Sequence, residues 1–290
     1  MAMFMTQKTE PMRVDSHQHF WRYNQEEFGW INDQMAVIRR DFLPDDLAPL
    51  LHETKIDAAV SVQASQTIEE TEFLLGFADQ HAWIAGVVGW VPLISPQLDE
   101  ELDRQAANKK LKGIRHILQA EADEYMQRDD FNAGIARLQD YSLTYDVLIL
   151  ERQLPAAIQF VDRHPAQPFV LDHVAKPRIV EHRIAGHQIE PWRTQIRELA
   201  RRPHVVCKLS GMVTEADFNS WTVADLCPYV ETVLEAFGPG RLLFGSDWPV
   251  CTVAASYGRW VSTVTEYLSE LSTDELQMIF GENATKFYKL

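Results

Sequence analysis

The sequence predicts an α/β protein built as one closed (β/α)₈ barrel, the TIM-barrel architecture, with its chemistry at the C-terminal ends of the strands. Three observations lead there. Short runs rich in Val, Ile and Leu recur eight times, each followed by a stretch of helical period, as in a parallel sheet wrapped by helices. No Gly-, Ser- or Pro-rich break and no internal repeat divides the 290 residues, and such barrels commonly run to about 250 residues or more as one domain. The first strand ends in Ser16-His-Gln-His-Phe20 rather than in a Gly-rich phosphate turn, which disfavours an open doubly wound sheet.

In chain order, residues 1–11 read as a flexible leader and 12–290 as the barrel. A first strand is expected over 13–16, then a long irregular connection from Phe20 to Leu43 that carries Trp21, Tyr23, Phe28 and Trp30 and would lie over the barrel mouth. Pro44 followed by Asp45 and Asp46 suits the first turn of a helix. A strand over 57–64 is followed by Thr67-Ile-Glu-Glu70, which has capping-box spacing. Further strands are expected over 83–91, 112–117, 144–150, 168–173, 204–209 and 241–246. Between them, Phe131, Ile135 and Leu138, and then Leu154, Ile158 and Val161, mark apolar helix stripes. Gly238 closes a helix ending at Phe237, and Ser272-Thr-Asp-Glu275 opens the last helical region.

Composition excludes several functions. A formal net charge of −15 without a Lys/Arg cluster argues against nucleic acid. No run approaches the ~18 consecutive apolar residues of a membrane span, and the start lacks a basic segment followed by an apolar one. Cys207, Cys227 and Cys251 are odd in number and form no Cys-x-x-Cys pair, which suits reduced thiols in a cytoplasm. The expected partner is a small molecule, with self-association left open.

Chemistry concentrates at three strand ends. His17 and His19 are two residues apart, so a strand delivers both imidazoles to one side. The apolar run Leu242-Leu-Phe-Gly-Ser stops at Asp247, and barrel closure sets strand eight beside strand one, bringing a carboxylate to the His pair. Two His and one carboxylate suit a metal site or a metal-free acid/base site. Phe169-Val-Leu-Asp172-His173 delivers a third imidazole from strand six. His52, His81, His164, His182, His187 and His204 fall on helices, in loops or at strand beginnings, where a barrel keeps stability rather than chemistry. Cys251 reads as a small buried hydrophobe.

These motifs resemble the lactonase branch of the amidohydrolase superfamily, often called amidohydrolase 2. The resemblance covers nearly the whole chain. It rests on Asp15-Ser-His-Gln-His-Phe-Trp21, Lys112-Gly-Ile-Arg-His116, Asp172-His-Val-Ala-Lys-Pro177, Cys207-Lys-Leu-Ser-Gly211, Leu243-Phe-Gly-Ser-Asp-Trp-Pro249 and Asn283-Ala-Thr-Lys-Phe-Tyr288. The His-Phe-Trp opening and the Arg-His strand are most similar to members that act on six-carbon aldonolactones such as fuconolactone or rhamnonolactone. The resemblance implies that Asp247 activates the hydrolytic water while His17, His19 and His173 polarise the lactone carbonyl, directly or through one divalent ion held by His17, His19 and Asp247. Zinc is the first choice, and the metal is dispensable in parts of the branch. It also implies a substrate-holding role for Arg115. Strand four carries Arg115 and His116 in place of the lysine of two-metal relatives, and Lys208 lies on strand seven, so a binuclear centre with a carboxylated lysine is not expected.

The expected activity is therefore hydrolysis of a sugar lactone, with Asp247 raised in pKa by burial against Phe244 and Trp248 so that it both takes and returns a proton. Trp21, Trp90 and Trp248 are candidates to stack on the sugar ring, and Gln63, Arg115 and His116 to bind its hydroxyls. Two rivals stand beside this reading. One is a zinc-dependent nonoxidative decarboxylase of an aromatic acid, whose extra strand-five His is missing from 144–150. The other is a sugar-binding barrel without catalysis.

Overall fold

The structure, a computed structural model, describes residues 11–290; the leader expected over 1–11 lies, but for Pro11, outside the described residues. All eight expected strands are present: β1 Val14–Gln18, β2 Ala58–Val62, β3 Ile84–Gly89, β4 Leu111–His116, β5 Thr144–Val147, β6 Phe169–Leu171, β7 Val205–Leu209 and β8 Leu242–Phe244. They pair in parallel in sequence order. β2 to β6 and β8 end one to three residues earlier than expected, β1 runs on to Gln18, and at β6 and β8 the chain leaves the ladder just before His173 and Asp247.

The barrel is nearly closed, and its last seam is made by the chain beyond β8. Asp247 N–H donates to the His17 carbonyl at 2.8 Å and His19 N–H to the Trp248 carbonyl at 2.7 Å. Side chains lock the same seam: Ser16 Oγ donates to the Phe244 carbonyl (2.6 Å), and Asp15 Oδ1 accepts from the N–H groups of Ser246 (2.8 Å) and His17 (3.1 Å). The β1 register against β2 shifts between Asp15 and Gln18. Such an irregularity re-aims side chains: Val14 packs in the interior while His17 and His19 face the site above it.

Helices cover the strands: α1 Pro44–Thr54, α2 Ile68–Gln80, α3 Leu98–Gln105, α4 Asp129–Arg137, α5 Leu154–Asp162, α6 Ile179–Ile184, α7 Trp192–Leu199, α8 Val223–Phe237 and α9 Tyr257–Tyr267, followed by α10 Thr273–Gln277 and α11 Asn283–Tyr288. No helix among the described residues is long and apolar enough to cross a membrane. The box at Ser272 and Glu275 forms reciprocally. The one expected at Thr67 forms only half: Thr67 Oγ1 accepts from Glu70 N–H, but the Glu70 carboxylate reaches back to the N–H groups of Ala64 and Ser65 and so fixes the loop at the barrel mouth.

Burial separates two apolar layers. A large cluster lies between strands and helices, and a smaller one holds Val14, Ala58, Val60, Val88, Val170, Val206, Leu243 and Tyr288. The second fills the barrel interior with the branched residues usual there. Tyr288, at the end of α11, plugs this interior, and its hydroxyl donates to Asp146 Oδ2 at 2.7 Å. Tyr288→Ala is expected to lower stability by about 3–5 kcal/mol through the cavity it leaves, and Tyr288→Phe by about 1–3 kcal/mol through the unmade hydrogen bond; urea unfolding of the two variants beside the wild type measures both.

Candidate active site

Above the apolar interior lies a charged layer. Lys208, fully buried on β7, places Nζ 2.5 Å from Asp146 Oδ2, 3.0 Å from Asp172 Oδ1 and 3.2 Å from His17 Nδ1. Arg115, on β4, donates from a terminal nitrogen to Asp172 Oδ2 at 2.9 Å and from the other to the Gln63 carbonyl. Two cations thus offset two carboxylates, the condition under which buried charge is tolerated. Burial raises Asp146, with Lys208 opposing; for Asp172 burial is overcome by Lys208, His17 and Arg115, which hold it well below the ordinary carboxylate range.

On this layer stand the three histidines and Asp247. His17 Nε2 and His19 Nε2 are 3.1 Å apart. Asp247 Oδ1 lies 3.4 Å from His19 Nε2, 3.7 Å from His173 Nε2 and 3.8 Å from His17 Nε2. The far nitrogen of each ring is already engaged. His19 Nδ1 lies 2.7 Å from the Val62 carbonyl, His173 Nδ1 2.8 Å from Ser210 Oγ, and His17 Nδ1 3.3 Å from Asp172 Oδ1. A carbonyl only accepts, so His19 carries a proton on Nδ1 and donates it to Val62.

Backbone conformation aims two of these groups. His173, Val174, Ala175 and Lys176 run consecutively in the left-handed region, with φ of 51°, 48°, 62° and 46°, and Asp247 has φ 57°. Such residues persist only where the surroundings over-determine them, and they cluster at functional sites. Gly211 (φ 66°) lies so close behind His173 that a Cβ there would stand 2.5 Å from its Nδ1.

The donor set fits a divalent cation. His17, His173 and Asp247 each present a ligand atom within 4.8 Å of the others, and His19 Nε2 stands beside them. Lone pairs of neutral imidazoles converging on an ionised carboxylate, each ring held from behind, make a metal-ligand arrangement with its supporting partners. The sequence assigned His17, His19 and Asp247 to a metal; the geometry adds His173 as an equal candidate.

Electrostatics corrects one expectation. Burial pushes Asp247 up, but His173, His19 and His17 outweigh it and hold the carboxyl below the usual carboxylate range, not above it. Burial lowers His17 well below its ordinary value and His173 to about 4. Asp247 is therefore anionic, and these two rings neutral, at neutral pH.

His19, His173 and Asp247 border a cavity of about 420 Å³ whose lining also includes Arg115, Trp30, Lys176, Glu215 and Phe218, while His17 lies fully buried behind them. Of the residues expected to bind substrate, Arg115 lines it. His116, next on the strand, faces the other way, as alternation requires: it stacks on Tyr125 and pairs with Glu121 at 3.0 Å. Trp90 donates to His116 Nδ1, Trp21 donates to the Arg40 carbonyl inside the aromatic core, and Trp248 packs on Phe20 and Phe42. Gln63 is buried beside Arg115 and donates to its carbonyl. These aromatic and polar groups build the walls behind the cavity, and Trp30 is the tryptophan that lines it. From the sequence, Asp146 and Asp172 receive no site role and Lys208 counts only against a binuclear centre, although charged residues inside apolar strand runs are the signal that marks all three. Lys176, Glu215 and Phe218 sit in loops and carry no such signal.

The amidohydrolase family matches residues 14–290. The chain is 46% identical over 286 residues, 96% of each sequence, to the L-fucono-1,5-lactonase of Burkholderia multivorans. It is 37% identical over 283 residues, again 96% of each, to the L-fucono-1,5-lactonase of Burkholderia ambifaria. Among solved structures it is similar to an amidohydrolase from Burkholderia multivorans with bound zinc, at 45% identity and a TM-score of 0.91, over 96% of this chain and 99% of that one.

Neutral buried imidazoles have a stability consequence. Unfolded, both rings protonate near the ordinary 6.5, whereas folded His173 protonates near 4 and His17 well below 6.5. The unfolded chain therefore binds more protons between pH 6.5 and 4, and stability falls as pH drops through that window by up to about 1.4 kcal/mol per pH unit for each ring. Denaturant unfolding at steps between pH 7 and 4.5 checks this, and His173→Asn should flatten the slope by one proton.

Proposed function

The chain belongs to the amidohydrolase family, and from that premise we propose that it is a lactonase that opens a sugar-derived lactone, L-fucono-1,5-lactone foremost, to the aldonic acid. One observation carries the reading: the ionised carboxylate of Asp247 lies within 3.8 Å of three imidazole Nε2 atoms, and Asp247, His19 and His173 line a cavity of about 420 Å³. The 46% identity to an L-fucono-1,5-lactonase over 96% of the chain supports the substrate.

Hydrolysis of the ring ester needs a base for water, stabilisation of the oxyanion and a proton for the departing ring oxygen. Asp247 takes the water proton; it is already anionic, so no raised pKa is needed for that step. Once protonated, a carboxyl that prefers to be ionised is a strong acid, which suits return of the proton to the alkoxide. Arg115 N–H, 3.4 Å from His17 Nε2, lies within reach of the oxyanion. His173 is set by Ser210, and His17 by Asp172 and Lys208, so neither ring has to reorganise during the reaction.

We assign one divalent ion, zinc by preference, to His17, His173 and Asp247 with His19 beside them. When bound, it supplies carbonyl polarisation and a more acidic water. That complements a carboxylate whose basicity its neighbours have lowered.

Asp247→Asn should reduce turnover of L-fucono-1,5-lactone by at least ~10²-fold, read by acid release with a pH indicator; wild-type-like turnover would remove Asp247 from this role. Elemental analysis of purified protein should find about one divalent ion per chain, and exhaustive chelation should cut turnover until zinc is restored. Full activity in metal-free protein would assign carbonyl polarisation to the protein's own donors.

A further inference from the structure

The cavity wall opposite in character to the catalytic floor is mostly apolar, with Met35, Ile117, Leu148, Phe218 and Val250. A polyhydroxylated ring cannot be recognised by such a surface alone. Polar groups on the wall are few: Lys176, Thr214, Glu215 and Gln119. Thr214 donates to the Gly211 carbonyl. Gln119 Oε1 is buried and has no hydrogen-bond partner among the described residues.

Lys176 Nζ and Glu215 Oε1 form an ion pair at 3.3 Å, with side chains only 20% and 21% exposed. Both are positioned by backbone. Lys176 ends the left-handed run that starts at His173 and donates its N–H to the His173 carbonyl at 2.8 Å, while the Trp192 indole braces the run at the Val174 carbonyl. Glu215 follows the turn Met212–Thr214 beyond β7, and its carbonyl accepts from Val180 N–H. The pair is therefore fixed relative to the reacting centre.

Resting on the lactonase reading, we propose that Lys176 and Glu215 form the hydroxyl-binding element of the site, gripping neighbouring hydroxyls of the lactone and favouring neutral polyhydroxylated substrates over carboxylate-bearing ones. An ammonium offers donors and a carboxylate acceptors, while each sugar hydroxyl needs one of each; such charge-assisted bonds are the stronger kind. The selection against acids follows from charge balance. Both cavity cations are already matched, Lys176 by Glu215 and Arg115 by Asp172 (2.9 Å). Among the described residues lining the cavity, a substrate carboxylate finds no cation without a carboxylate partner and faces Asp247 and Glu215, a built-in repulsive element.

The test compares wild type, Lys176→Met and Glu215→Gln on L-fucono-1,5-lactone and on δ-valerolactone, a six-membered lactone ring without hydroxyls. Each substitution should reduce the ratio of kcat/KM values (fuconolactone over valerolactone) by about 10- to 100-fold, mainly through KM. The ratio is insensitive to the folded fraction, because unfolded protein scales both rates alike. A second readout is inhibition by the product anion L-fuconate. Glu215→Gln frees the Lys176 charge and should tighten it at least ~10-fold, whereas Lys176→Met should weaken it. An unchanged ratio together with unchanged fuconate inhibition overturns the inference while leaving the lactonase reading intact. A wild-type protein inert toward both lactones overturns the lactonase reading and the inference with it.

Discussion

The structure depends on the seam where the chain after β8 meets β1. Without the Asp247 N–H to His17 carbonyl bond at 2.8 Å and the His19 N–H to Trp248 carbonyl bond at 2.7 Å, the Asp247 carboxylate and the His17 and His19 imidazoles come from opposite ends of the sequence and share nothing. Three of the four residues in these bonds, His17, His19 and Asp247, also supply side chains to the site, so the contacts that close the barrel also bring its groups together. Asp15 secures that seam from within: one carboxylate oxygen holds Ser246 and His17, and the other accepts from the Tyr257 hydroxyl at 3.1 Å. Burial raises Asp15 to about 6.

Above the seam's apolar base the barrel is layered by charge. Branched side chains and Tyr288 fill the lower interior, a matched set of Lys208, Arg115, Asp146 and Asp172 occupies the middle, and the histidines and Asp247 stand on top. The middle layer explains how ionisable groups persist in a dry interior: each cation has a carboxylate within 3.0 Å. It also orients the layer above, since Asp172 and Lys208 both contact His17 Nδ1. Orientation by groups that are themselves fixed is what allows a site to act without reorganising.

The cavity continues the same economy of charge. Arg115 belongs both to the middle layer and to the cavity lining, and its charge is answered by Asp172; Lys176 is answered by Glu215. The wall thus offers hydrogen bonds without net positive charge, and the negative charge at the floor remains on Asp247. The long connection after β1 contributes Trp30 and Met35 to this wall, while Trp21 turns inward to pack with Phe28 and Phe42.

What the sequence determined by itself is the barrel and the residues at its strand ends. Alternating apolar runs and helix stripes specify eight β/α units because period is a local property, and the Ser16–Phe20 and Gly245–Asp247 segments mark strand ends because polar residues stop an apolar run there. What only tertiary structure decided is direction and company. Whether His116 or Arg115 faces the cavity depends on strand parity, which one register shift can invert. Whether Trp21, Trp90 or Trp248 meets solvent depends on which neighbours fill the space around it. Asp247 was expected to rise in pKa from its apolar neighbours alone; three imidazoles from distant strands lower it instead. The pairing of Lys176 with Glu215 joins two loops. Such outcomes are set by contacts between segments far apart in the chain, and no local pattern records them.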